Sequence, residues 1–427
     1  MDRRVVVTGM GVVSPIGVGI KAFEEAMKGM KSGISHISEL EELGFGCQIG
    51  GVPNLELSED LKYLYANELQ GASMMIIYAC LAGLQAWRNA GFMVEGRAST
   101  FVDIDTGAII GTGIGASDIF AKIVRQTDLK QTRKLRSTII EHSMTSGPSA
   151  NLSKLLGLGN QLLGVSSACA SGSDAILMGY QRIRAGFAKR MLVGGAECYS
   201  PYGWAGFDAM RVTTRKYNDN PTQGSRPMTG NSSGFVPGSG SGVLVLEDYD
   251  SAQSRGAQIL CELKGGWSNS GGQRNDGSMT APTSRGVIAC IRKALLESNT
   301  NVNEIDYVSG HLSSTFADAN EISNISQALG RSGDSFPYIN SLKSLIGHCI
   351  GATGAIESIA AILQMKGGYI HGTLNLKETH SRIAKVLDTR KAPRDTIVVQ
   401  GINSVLKLSF AFGDSNVALI FKVLDDE

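Results

Sequence analysis

Apolar residues fall into short unbroken runs set between glycine turns and longer helical stretches, a pattern that predicts a buried α/β fold. The opening RRVVVTGMGVV predicts a buried strand running into a glycine turn, and FEEAMKGMKSG after it a helix closed by glycine. Further on, ASMMIIYACLAGLQAWRNAG predicts a long apolar helix ending at Gly91, and GAIIGTGIGAS a strand followed by a small-residue turn. Strands and helices alternate from there to the end.

Two later segments look like copies of one design. LLGVSSACASGSDAILMGYQRIRAG surrounds Cys169 and YINSLKSLIGHCIGATGAIESIAAILQMKGG surrounds His348; each reads as strand, tight turn, reactive side chain, helix. Two further segments also match, SSGFVPGSGSGVLVLEDYD and LSFAFGDSNVALIFKVLDD, each a glycine-rich loop leading into an alternating strand. QILCELKGGWSNSGG then resembles a second version of the opening strand. The parallels predict an internal duplication with N-terminal half 1–257 and C-terminal half 258–427.

Composition narrows the class. A chain of 427 residues accommodates two or three domains of about 150 residues each. Hydrophobic residues at 42% and charged residues at 19% suit a globular fold rather than a disordered or fibrous one. Forty basic against 39 acidic residues leave a formal charge of +1, so there is no global field for nucleic acid or anionic lipid. An acidic partner must therefore find a local patch. Seven scattered cysteines, none in a C-x-x-C pair, point to a reducing compartment and away from a disulfide framework or zinc knuckle. The first apolar run is broken too early for a signal-peptide core, and no stretch of about 20 apolar residues marks a membrane span. A cytoplasmic location without membrane contact is expected.

Candidate chemistry begins at Cys169. Small residues surround it and a helical pattern follows, which predicts a sulfur at a helix N-terminus, where peptide dipoles favour thiolate over thiol. A thiolate is both nucleophile and leaving group in acyl transfer. From this segment alone, a buried inert thiol fits equally well. His311 and His348 both follow apolar strand-like runs, and two imidazoles in one cleft can stabilise an enolate or oxyanion and shuttle a proton. Lys343 lies five residues before His348 and Glu321 ten after His311, a set that predicts a buried ion pair beside the rings. An ordinary surface pair is the alternative.

These residues resemble the β-ketoacyl-[acyl-carrier-protein] synthases of the I/II type and the related polyketide ketosynthases. The resemblance runs through VVVTGMGVVSPIG, GTGIG, SSACASG, TTRKYNDNPTQGSRPMTGNSSGFVPGSGSGVLVLEDYDSAQSRGA, MTAP, KSLIGHCIGATGAIES and LSFAFGDSN. It implies the thiolase fold, two duplicated α/β halves in a five-layered αβαβα arrangement, usually as a homodimer. By that likeness Cys169 accepts an acyl chain from an acyl carrier protein, while His311 and His348 assist malonyl decarboxylation and steady the enolate. Lys343 balances charge with Glu321, and the amides of Cys169 and Phe412 form an oxyanion hole, Phe412 also serving as gate. Ile114, Phe207, Phe410 and Ala411 fall to the substrate pocket, and Ile139 to the position that caps the pocket of a partner subunit. Ser313 and Thr315 stand where the family uses two threonines on the phosphopantetheine arm. Arg133, Lys134 and Arg211 match carrier-docking positions. No metal or redox cofactor is implied, because loss of carbon dioxide generates the nucleophile.

The chain also departs from the pattern. HGTxT becomes HLSST, with one residue fewer between His311 and Asp318, and NSFGFGG becomes LSFAFGD, so Ala411 and Asp414 replace glycines of the gate. A stiffer gate is the expectation. The stretch ANELQGA lacks the family's basic docking residues. Readings left open are an elongating fatty-acid-type synthase, a ketosynthase of a type II polyketide or aryl-polyene pathway, a chain-length partner without activity, and a carrier-independent thiolase. A chain-length partner would usually lack the cysteine.

Overall fold

The computed structural model describes residues 3–94 and 100–424. Its central sheet takes five strands from the first part of the chain: β1 (Val5–Ser14), β2 (Thr106–Gly111), β3 (Leu162–Val165), β4 (Arg190–Glu197) and β5 (Gly240–Asp248). Five more come from the second: β6 (Cys261–Ser270), β7 (Tyr307–Ser309), β8 (Tyr338–Asn340), β9 (Ser404–Ala411) and β10 (Ser415–Lys422). They lie in the order β8-β7-β9-β10-β6-β1-β5-β4-β2-β3, and a short strand, Gly17–Val18, pairs with β1.

Counted outward from the middle, both sets run first, fifth, fourth, second, third. Parallel and antiparallel neighbours also repeat: β2 is parallel to β3 and β4 as β7 is to β8 and β9, and the remaining pairs are antiparallel. So irregular an order would not recur by accident of packing. The sets touch through β1 and β6 over only two residue pairs, Val6 with Glu262 and Val7 with Cys261.

Five helices define the layers: α1 (Met74–Asn89), α2 (Ser171–Arg184), α3 (Ser284–Glu297), α4 (Asp318–Leu329) and α5 (Thr353–Gly367). α2 and α5 pack on each other and on strands of both sets, so they form the middle layer. α1 covers β1, β5 and β4 on one outer face, while α3 covers β6 and β10 on the other and carries α4. The result is the αβαβα stack that the resemblance implied.

Strand β1 is buried at every position because α1 lies directly against it. Its glycines make that approach possible: a Cβ at Gly9 would stand 2.2 Å from the Ala86 carbonyl oxygen, and one at Gly11 2.0 Å from that of Ala82. The expectation of alternating strands near the end of each copy fails. β5 is buried throughout and β10 from Asn416 to Phe421, because helices cover both faces of each strand set.

Candidate active site

Cys169 sits on a single 3₁₀ turn, Ala168–Ala170, that joins β3 to α2. The turn is tight: Ala168 takes φ 50°, the Ser167 amide donates to Ser171 Oγ at 2.9 Å, and that hydroxyl donates to the Ala168 carbonyl at 2.6 Å. Cys169 thus occupies the helix entrance as expected, but its ionisation differs from the expectation. Burial pushes the thiol up to about 12, with Lys343 pulling the other way. Loss of solvation outweighs the helix end, so the free protein holds a neutral thiol.

The second copy supplies the histidines. A one-turn helix, Lys343–Ile346, leads to His348, and a 3₁₀ turn, Ile350–Ala352, leads on into α5. The Ile350 amide donates to His348 Nδ1 at 3.2 Å, with the Thr353 hydroxyl 2.9 Å from the same atom. Nδ1 is therefore an acceptor, which leaves the proton of the neutral ring on Nε2. His311 follows β7, its ring centroid 5.2 Å from that of His348 at 77°. Its Nδ1 is buried without a hydrogen-bond partner among the described residues. Burial, then Lys343, lowers both imidazoles well below the usual histidine range, and Lys407 adds to the effect on each.

The predicted pairing of Lys343 with Glu321 is not what forms. Lys343 Nζ bonds Glu357 Oε1 at 2.6 Å and also donates to the His311 carbonyl. Glu357 lies in the first turns of α5, beside Lys343, and its other oxygen meets Lys407 Nζ at 2.8 Å. Glu321 is already committed: its carboxylate accepts the amides of His311 at 2.6 Å and Leu312 at 2.8 Å. It therefore shapes the His311 loop. Asp318 does the same one turn earlier, taking the amides of Ser313 at 3.0 Å and Ser314 at 3.2 Å. These bonds hold a loop in which Leu312 and Ser314 adopt positive φ, 24° and 66°. Burial raises Asp318 to about 6 and Glu321 to about 7.

Glu357, Lys407 and Glu197 were not singled out in the sequence. Glu197, at the end of β4, accepts the amides of Gly113 at 2.7 Å, Ile114 at 3.2 Å and Gly351 at 3.0 Å. It staples the turn after β2 to the turn before α5, and burial lifts its carboxyl to about 7. The only hint was an acidic residue closing an apolar run, RMLVGGAE.

Cys169, His311 and His348 open onto one cavity of about 490 Å³. Phe207, Arg211, Ser313, Thr315, Glu321, Phe410, Ala411 and Phe412 line it too. Phe207 stacks edge-on between Phe235 and Phe412, with centroids 5.5 and 6.3 Å away, and the Ser313 and Thr315 hydroxyls are 3.2 Å apart. Lys343 stands behind the wall, fully buried. Ile114 and Ile139 do not reach the cavity: Ile114 is half-buried beside the Glu197 staple, and Ile139 packs on the apolar cluster around α1. Arg133 and Lys134 are exposed on a separate 3₁₀ turn, whereas Arg211 is exposed at the cavity mouth. Among the described residues no group of three or more His, Cys, Asp or Glu side chains is placed to hold a metal ion, and no helix is long and apolar enough to cross a membrane. The seven cysteines are buried and unpaired.

Two duplicated α/β halves stacked as αβαβα are the thiolase fold, shared with solved ketosynthases. Comparison with known proteins narrows this further. Residues 2–252 match the "Beta-ketoacyl synthase, N-terminal domain" and residues 260–377 the "Beta-ketoacyl synthase, C-terminal domain", and the chain belongs to the β-ketoacyl synthase family. It is 32% identical over 423 residues to 3-oxoacyl-[acyl-carrier-protein] synthase 2 of Vibrio harveyi, covering 98% of both chains. It is 30% identical over 430 residues to 3-oxoacyl-[acyl-carrier-protein] synthase 1 of Escherichia coli, covering 99% of this chain and all of the relative. A β-ketoacyl synthase from Burkholderia phymatum superposes with a TM-score of 0.90 at 30% identity, covering 99% of this chain and 100% of that one. The ketosynthase complex of a type II PKS acyl-carrier protein, bound to the hexaketide, gives 0.86 at 29% identity with the same coverage.

Proposed function

We propose that the chain catalyses decarboxylative Claisen condensation of an acyl thioester with malonyl-[acyl carrier protein], giving a β-ketoacyl-[acyl carrier protein]. The observation that carries this is the shared cavity of Cys169, His311 and His348. The Cys169 sulfur attacks the incoming thioester, its proton leaves with the carrier's thiol, and the acyl group stays on the enzyme. Malonyl carrier then enters and its carboxylate departs as carbon dioxide. The electron pair so released forms the carbon–carbon bond at the acyl carbon, and Cys169 leaves as thiolate. The negative charge that builds on oxygen meets the Nε2 proton of His348 and the His311 ring, both held neutral, and the Cys169 and Phe412 amides serve the tetrahedral intermediate. Ser313 and Thr315 hold the phosphopantetheine arm, and Arg211, with Arg133 and Lys134, receives the acidic carrier. The substrates bring the only prosthetic group required. The protein works in the cytoplasm as two halves, 1–257 and 258–427, paired as a homodimer or with a related ketosynthase or chain-length partner.

A second reading, a ketosynthase of a type II polyketide pathway, is favoured by the solved ketosynthase–carrier complex among its neighbours. One experiment tests both. Purified protein is incubated with a panel of acyl carrier proteins, followed by malonyl carrier, and intact-protein mass spectrometry reads acylation and product. Acylation of wild type and none of Cys169→Ala is expected; a wild type that no acyl group loads sinks the enzyme reading. Loading by saturated chains supports fatty-acid-type elongation, and loading only by polyketide chains supports the second reading.

A further inference from the structure

No step of the condensation names Lys407, yet it is fully buried in the middle of β9. Its Nζ lies 2.8 Å from Glu357 Oε2 and 3.3 Å from Ser409 Oγ, and it donates to the Leu408 carbonyl. Ser409 Oγ in turn lies 2.8 Å from Ser173 Oγ on α2, the helix that follows Cys169. Glu357 thus divides its two oxygens between two ammonium groups, Lys343 on one and Lys407 on the other. With each group in its ordinary ionised form, Lys343 and Glu357 alone would be neutral and the three together would carry one positive charge, away from water; burial lowers the Lys407 ammonium and Glu357 pulls the other way. An unneeded buried cation is costly, and an apolar side chain of similar size would fill the same place more cheaply.

We propose that Lys407 is a positioning residue of this site, acting through Glu357 to leave a surplus positive charge behind His311 and His348 that favours the anion formed in the cavity. The inference rests on the condensation reading. Lys407 acts on both rings, lowering each, in company with the nearer Lys343. Other charged groups face the rings as well: Glu321 and Asp318 beneath the His311 loop, and Glu197 through Gly351 on the His348 side. Burial raises those three carboxyls to between about 6 and about 7, so they lose charge as the solution is acidified and leave Glu357 as the carboxylate that faces the two lysines.

The test uses full-length protein with ¹³Cε1-labelled histidine, assigned with His311→Asn and His348→Asn, together with the pH profile of condensation. Lys407→Met removes the surplus charge; the titration midpoints of both rings and the acid limb of the profile should rise by about one pH unit. Lys407→Arg should stay near wild type. Lys407→Met/Glu357→Gln restores a single positive charge and should return the midpoints toward wild type, which a merely structural role would not do. Glu357→Gln alone keeps the side-chain shape and should move them down, and it serves where Lys407→Met does not fold. Midpoints unmoved in both single variants, or left at the Lys407→Met position in the double, overturn the proposal. Because the titration needs no substrate, histidines that shift in a protein that never acylates overturn the condensation reading instead.

Discussion

At the scale of single residues, two opposing effects decide the ionisation of Cys169, the proposed nucleophile. A helix entrance favours thiolate, burial favours thiol, and burial prevails, pushing Cys169 up to about 12 against the pull of Lys343. Alkylation of Cys169 by iodoacetamide, followed by peptide mass spectrometry, should therefore climb steadily from about pH 8 to about pH 10 without levelling off. Lys343→Met should slow it throughout that range, since it deletes the charge that favours the thiolate. A plateau reached by neutral pH would mean that the helix end wins. Cys169, His311 and His348 were legible in the sequence because their chemistry is rare and their flanking turns are local. Their supports were not. Lys407 meets Glu357 from 50 positions away, as the numbering shows, and in SVLKLSFA it passes for the polar residue of a half-exposed strand. Only the helices on both faces of β9 make it a buried charge. The same blindness paired Lys343 with Glu321, whose oxygens the backbone had already taken.

At the scale of elements, the two copied turns differ in a way that separates their tasks. Ala168 and Ile350 occupy equivalent places, each with positive φ (50° and 44°) at the start of a 3₁₀ turn that runs into a central helix. The next residue is Cys169 in one copy and Gly351 in the other. Gly351 has no side chain because the copies meet there: a Cβ would stand 2.2 Å from the Gly113 amide. The expected gate around Phe412 shows a second division of labour. Stiffening was expected at Ala411 and Asp414 together, but Ala411 lies in β9 paired with Ser415, where alanine costs nothing. Asp414 has φ 59° and its carboxylate accepts the amides of Gln273 and Thr283, both at 2.9 Å. The Gly413 amide adds a bond to the Met279 carbonyl at 2.8 Å. Moving Phe412 therefore drags the 271–283 loop with it. Ala411→Gly should leave the acyl-loading rate of Cys169 unchanged, whereas Asp414→Gly should raise it several-fold in rapid-quench mass spectrometry and lower stability by about 1–3 kcal/mol as the buried Thr283 amide and the part-buried Gln273 amide lose their acceptor. Equal rates in Asp414→Gly and wild type would show that the gate moves without this clamp.

At the scale of the whole molecule, the repeated strand order makes one prediction about assembly. Each set ends in a third strand, β3 on one side and β8 on the other. The β8 edge is covered: Ile339 and Asn340 are buried, and the Asn340 side chain bonds Gln364 and the His371 carbonyl. The β3 edge is not. Its residues alternate between exposed and half-buried, and the neighbouring Asn160 side chain bonds the carbonyls of Ile104 and Phe187, whose side chains are 71% and 67% exposed. An uncovered strand flanked by exposed apolar side chains is a template for another strand. The partner that fits with closed symmetry is the same edge of a second copy, running antiparallel across a two-fold axis. Ile139 stays outside the cavity of its own chain, so the capping role that the resemblance implies for it requires a second copy. Sedimentation equilibrium of the full chain should find a dimer, and Leu162→Arg, which puts a charge at each end of the paired strands, should weaken it at least tenfold. Ile139→Phe should leave the dimer intact and shorten the longest acyl chain that loads onto Cys169. A Leu162→Arg protein that remains as tightly dimeric as wild type would place the interface elsewhere, and an unchanged range of acyl chains in Ile139→Phe would remove Ile139 from the pocket.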